Sequence, residues 1–121
     1  GFEIVRATAG MSLPVESVDA LLYVLTQEAM LTVSEARVDW SKLHGGFPAS
    51  MERPWRSTPS VMVSFGHPYH LFDAPRMPAY INAYVCTPQA QAAVVRKLVG
   101  EEPFRGRSPV DPFCQTEQAR Y

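Results

Sequence analysis

Cysteine is scarce in this chain: Cys86 and Cys114 are the two in 121 residues, too few for a disulfide framework. Cys86 ends an apolar run and reads as a buried thiol. Charge of one sign is lacking too. Eleven Lys and Arg stand against 12 Asp and Glu, for a net charge of −1. No basic face is implied, so neither nucleic acid nor an anionic membrane surface is expected as a partner. No apolar run approaches the roughly 18 residues of a membrane span. There is no initiator Met and no charged-then-apolar export pattern at the start. The chain is therefore expected to be a piece of a longer polypeptide, and its compartment, cytoplasmic or exported, stays open. A glycine-rich phosphate loop and a G-x-S-x-G elbow are both missing. No cofactor is expected.

What is present is apolar and heavily punctuated. Hydrophobic residues make up 46% of the chain and there are 11 prolines. That composition predicts one domain with a real core, built of short elements joined by sharp turns. The clearest stretch runs from Pro59 to Val110. Ser60–Phe65 is rich in Val, Met and Phe, as a mostly buried strand requires. Gly66 stops it and Pro68 redirects the chain. Pro75 and Pro78 bracket a short connection to a second strand, Ala79–Tyr84. Thr87-Pro88 then reads as a helix N-cap followed by proline at the first helical position. The helix is expected to reach about Val99. Ala90, Val94 and Leu98 lie four apart and give one apolar stripe. Arg96 and Lys97 suit its negative end, and Gly100 is the expected left-handed residue beyond it.

The first half carries weaker signals. Phe2–Thr8 alternates loosely, as a first strand would. Val15–Val18 suggests a helical turn. Ala20–Leu25 is continuously apolar and predicts a central parallel strand. Val33–Leu43 reads as a helix with Ser34 as N-cap, ended by Gly45-Gly46. Pro48–Thr58 could hold another helix, with Met51 and Trp55 four apart, although Pro54 strains it. Strands separated by helices predict an α/β fold: a three-layer sandwich with a mostly parallel sheet flanked by helices. Residues 1–110 are expected to form this single domain and 111–121 a polar tail.

The strong half also carries a resemblance. VSFGHPYHLFDAPRMPAYINAY followed by TPQAQAAVVRKLVGEEPFRGRSPV resembles the closing part of the C-terminal α/β domain of glycoside hydrolase family 3. The bacterial β-N-acetylhexosaminidase-like members are the nearer match. In that family a strand ending in Ser, a small residue and Gly leads into Pro-Tyr. An APAY-like strand follows, then a helix entered by Pro and a GEAPFRGRLPV-like tail. The likeness covers about Val61 to Val110. It implies a catalytic (β/α)8 barrel elsewhere on the same polypeptide as the partner. The parent enzyme would release terminal β-linked N-acetylglucosamine, and this chain would meet carbohydrate only through it.

A glycosidase needs two carboxyl groups, or a substitute for one, about the scissile bond. Val38-Asp39-Trp40 superficially matches the family's nucleophile run. The residues before it read as helix, however, where a barrel strand is required, so Asp39 is taken as a decoy. Glu28, Glu35 and Glu52 lie outside the resemblance and none is nominated. No catalytic residue is assigned to this chain. His67 and His70 are three apart with Asp73 beyond, but Pro68 disfavours metal spacing and no metal site is assigned. Open α/β sheets place ligands at the carboxyl ends of strands. Gly66, His67, Tyr69 and Thr87 are therefore the candidates for a substrate or interdomain rim, with Thr26–Glu28 the parallel position after the ALLYVL strand. Tyr69, Phe72, Tyr80 and Tyr84 could stack on sugars, but aromatic residues beside strands more often fill a core. Phe104 is expected to plug the core beside a pairing of Arg105 or Arg107 with Glu101 or Glu102; a latch between domains is the other reading of that loop. The competing class of function is a free-standing flavodoxin-like module that binds a small ligand or a partner protein.

Overall fold

The computed structural model describes residues 2–8, 11, 15–27 and 37–116. Three strands, β1 (Leu21–Leu25), β2 (Ser60–Ser64) and β3 (Ala79–Asn82), form one parallel sheet in the order β1-β2-β3. The register runs from Leu21 opposite Ser60 to Leu25 opposite Ser64, and from Val61 opposite Ala79 to Ser64 opposite Asn82. The helices are α1 (Trp40–His44), α2 (Phe47–Met51), α3 (His70–Asp73) and α4 (Pro88–Leu98). Short 3-10 turns occupy Val15–Ser17 and Pro54–Arg56.

The two-residue alternation of β2 sends its side chains into two different cores. Met62 packs with Tyr23, Trp55, Ala74 and Met77, bordered by Trp40 of α1 and Leu71 of α3. Tyr23, Trp40 and Trp55 meet there with ring centroids 4.9–6.0 Å apart, and two of the three pairs are edge-on. Val63 points the other way with Phe65, and both pack against Val94 of α4, flanked by Ala90 and Leu98. Helices thus cover both faces, as the α/β expectation requires. Among the described residues no helix is long and apolar enough to cross a membrane.

Helix α4 follows its sequence signals closely. The Thr87 hydroxyl accepts from the Ala90 N–H at 3.2 Å, and Pro88 opens the helix. Its first turn therefore needs no other acceptor for that donor. Gly100 takes φ +81°, and the Glu101 N–H returns to the Arg96 carbonyl at 2.9 Å. This closes the C-terminus in the manner that favours glycine.

The first half departs from expectation. Residues 2–8 form no strand and are exposed. Residues 33–36 of the expected helix, Ser34 among them, lie outside the described residues; 37–39 are not helical and α1 begins only at Trp40. Asp39 is its N-cap, accepting from the Lys42 N–H at 3.0 Å. The expected Pro48–Thr58 helix is split, because Pro54 cannot donate within a helix interior. Trp55 is buried while Met51 is exposed, so the two share no face. Strand β1 is not central: among the described residues its outer edge is unpaired, and Leu22 and Val24 are 57% and 51% exposed. Strand β3 stops at Asn82, because Tyr84 turns to φ +63°.

Truncation should distinguish the two kinds of apolar strand residue. Met62→Ala, at a fully buried position, is expected to lower unfolding free energy by about 2–5 kcal/mol in a urea titration. Leu22→Ala on the bare face of β1 should change it by no more than about 0.5 kcal/mol.

Candidate functional site

The connection leaving β2 folds onto the Met62 face through α3, and the connection leaving β3 folds onto the Val63 face through α4. The two chains diverge at the carboxyl ends of adjacent parallel strands. That divergence is where α/β sheets open to ligands. The residues there are polar. Ser64 is the last residue of β2 and lies opposite Asn82, the last of β3. Ser64 and His70 are fully buried.

The Ser64 hydroxyl is the hub. It donates to the His67 carbonyl at 3.0 Å, accepts from the Gly66 N–H at 3.3 Å, and lies 2.9 Å from Nδ1 of His70. One hydroxyl carries one proton and two lone pairs. With the proton given to a carbonyl and one lone pair taken by an amide, Nδ1 of His70 must be the donor to the second. Nε2 of His70 is then a bare lone pair, held in the interior without a partner. Both ring nitrogens of His67 and both side-chain amide atoms of Asn82 are likewise buried, and among the described residues none of these atoms has a partner. The His67 ring stacks on that of His70 at 3.9 Å between centroids, and Tyr69 lies beyond it at 5.8 Å. Tyr80 fixes the loop from below, its hydroxyl donating to the carbonyls of Pro68 at 3.1 Å and His67 at 3.3 Å. Burial pushes the Tyr80 hydroxyl up to about 12, so it stays a donor.

Burial lowers the His70 pKa to about 4, aided by neighbouring His67 and opposed by Asp73. The imidazole is neutral near pH 7. Asp73 is already engaged: it takes Arg37 at 2.7–2.8 Å and the Val38 N–H at 3.0 Å, while its carbonyl accepts from Trp40 Nε1 at 3.0 Å. This ties α3 to the entry of α1. Among the described residues no three His, Cys, Asp or Glu side chains gather as metal ligands would.

The structure thus brings Gly66 and His67 together with Ser64, His70 and Asn82. Tyr69 is exposed at the margin. Thr87 belongs to the other face as the cap of α4. Cys86 is half-buried within reach of Gln91. Glu28 and Glu35 lie outside the described residues, and Glu52 is exposed. Phe104 is 54% exposed and does not plug the core; Glu102 pairs with Arg96 and Lys97 of α4, which also draw its carboxyl pKa down. Ser64 and Asn82 were missed as a pair by the sequence reading. The available signal was a polar residue closing each of two apolar parallel strands.

The fold and this strand-end cluster define an α/β domain that presents its loops at the carboxyl edge of a parallel sheet. A β-N-acetylglucosaminidase/β-glucosidase from Cellulomonas fimi is 37% identical over 109 residues, covering 87% of this chain. With it the resemblance read from the sequence holds: the chain is a relative of the C-terminal domain of the family 3 glycoside hydrolases. The chain spans 19% of that relative's length. No family profile matches the chain, and no solved structure matches it.

Acid should unfold this region selectively. His70 binds a proton less readily in the folded chain (about 4) than in the unfolded one (6.5). Its neutral burial therefore supports the fold fully above pH 6.5, and that support is lost as pH falls towards 4. The loss attributable to this side chain is about 3 kcal/mol at most. Urea titrations across that window should show a slope that His70→Leu removes; an unchanged slope would rule out this assignment. Asp73→Asn keeps the shape and removes the charge facing Arg37, and should cost about 1–3 kcal/mol.

Proposed function

We propose that the chain is a non-catalytic α/β domain of a β-N-acetylhexosaminidase-type family 3 enzyme, residues 1–110 forming the domain proper. It packs on a catalytic (β/α)8 barrel of the same polypeptide and shapes the sugar-binding rim. The observation that carries this reading is the similarity to one fifth of a longer glycosidase across nearly all of this chain. Three of the described carboxylates have structural roles. Among the described carboxylates, Asp39 caps a helix, Asp73 is bound by Arg37 and the Val38 N–H, and Glu102 pairs with α4. A retaining glycosidase needs two carboxyl groups about 5–5.5 Å apart, or a substitute for one of them. Gly66, His67, Tyr69 and Thr87 remain the rim residues of this proposal. Exposed Leu22, Val24, Val95 and Val99 are candidates for surface that a larger protein covers.

The isolated chain should not turn over a chromogenic N-acetylglucosaminide. Activity abolished by substituting a residue of this chain would overturn the non-catalytic reading. Light scattering should show self-association of the isolated chain through its apolar surface. A strictly monomeric, non-adhesive chain would count against a covering domain.

A further inference from the structure

We propose that the carboxyl ends of β2 and β3 hold a binding site for a neutral, hydroxyl-bearing ligand of sugar type, read by Nε2 of His70, the ring of His67 and the side-chain amide of Asn82. Its five polar atoms are buried and have no partner among the described residues. Buried polar atoms in native proteins are paired as a rule, so such a group at a strand end points to something that completes it.

The chemistry of the five atoms selects the ligand. Ser64 fixes His70 as an Nδ1 donor, so its Nε2 can only accept, and the ligand must bring a donor. Asn82 offers one acceptor and two donors, and an imidazole in its neutral form offers one of each. A group that both gives and takes is required, which an alcohol or a carboxamide is and an ionised carboxylate is not. Charge argues the same way. The nearby anion, Asp73, is already bound by Arg37 and the Val38 N–H, so its charge is answered without a cationic ligand. The flanking rings fit a sugar face: Tyr69 is 44% exposed and stands 5.8 Å from His67. The partly exposed ring of His67 stacks on the fully buried ring of His70. The choice of sugars among neutral hydroxylic ligands rests on the glycosidase reading above; the donor and acceptor pattern does not.

The test is a titration of the ¹⁵N-labelled chain with N-acetylglucosamine, with glucose and acetate as comparison probes, followed by long-range ¹H–¹⁵N spectra of the imidazoles. Before any addition, His70 should show the Nδ1–H tautomer; an Nε2–H tautomer overturns the assignment. Millimolar N-acetylglucosamine should shift the His70 Nε2 and Asn82 side-chain signals saturably, and acetate should not. Asn82→Leu, checked for an intact fold by its amide dispersion, should weaken the response at least about tenfold. Absence of shifts in the wild-type chain, or equal shifts in Asn82→Leu, overturns the site. Those outcomes leave the non-catalytic domain reading standing, because it is judged by turnover and association.

Discussion

Everything in this fold depends on one strand being buried from both sides. Met62 and Val63 are consecutive residues, and each is essentially inaccessible in a different core. A strand with that property needs a neighbour on each edge and a helix on each face. β1, β3, the aromatic layer of Tyr23, Trp40 and Trp55, and α4 supply them. The parallel arrangement follows from connections that run back over the sheet each time. It also aligns all three carboxyl ends at one edge, which is what gathers Ser64, Asn82 and the 66–70 loop.

The second half was legible in the sequence because its signals are local. Thr87-Pro88, the stripe of Ala90, Val94 and Leu98, and Gly100 each act within one or two helical turns, and each is found in the role its type implies. Of the first half, only the Leu21–Leu25 strand and the Val15–Ser17 turn were legible, because the rest of its structure is set by distant contacts. Trp40 looks like the edge of a helical stripe, yet it is the first residue of a five-residue helix held by the Asp73 carbonyl 33 positions away. Continuous apolarity in ALLYVL suggested a central strand. Periodicity, however, cannot tell a strand covered on both faces from one covered on a single face.

The site shows the same division. His67 was visible because it follows a strand, and its role as one wall of a stacked pair was not. His70 stood three residues from His67, a spacing to which no metal site was assigned; in three dimensions its Nδ1 turns to Ser64 and its ring lies against His67. That geometry spends one ring nitrogen on a hydroxyl and leaves the other as an acceptor.

Two features that seem unrelated share one cause. Leu22 and Val24 lie bare on the face of β1 that α4 does not reach. The segment from Pro103 to Val110, with Phe104 above Lys97, stays exposed. A parallel strand ordinarily has both faces covered, and an aromatic residue in an exposed loop gains little from its own chain. In the C. fimi relative the matching stretch is embedded in a polypeptide some five times longer. Surface that is poor economy for a lone domain is what a domain built to be covered would carry. The same burial requirement that fixes β2 at the centre leaves β1 and the 103–110 loop incomplete at the margin.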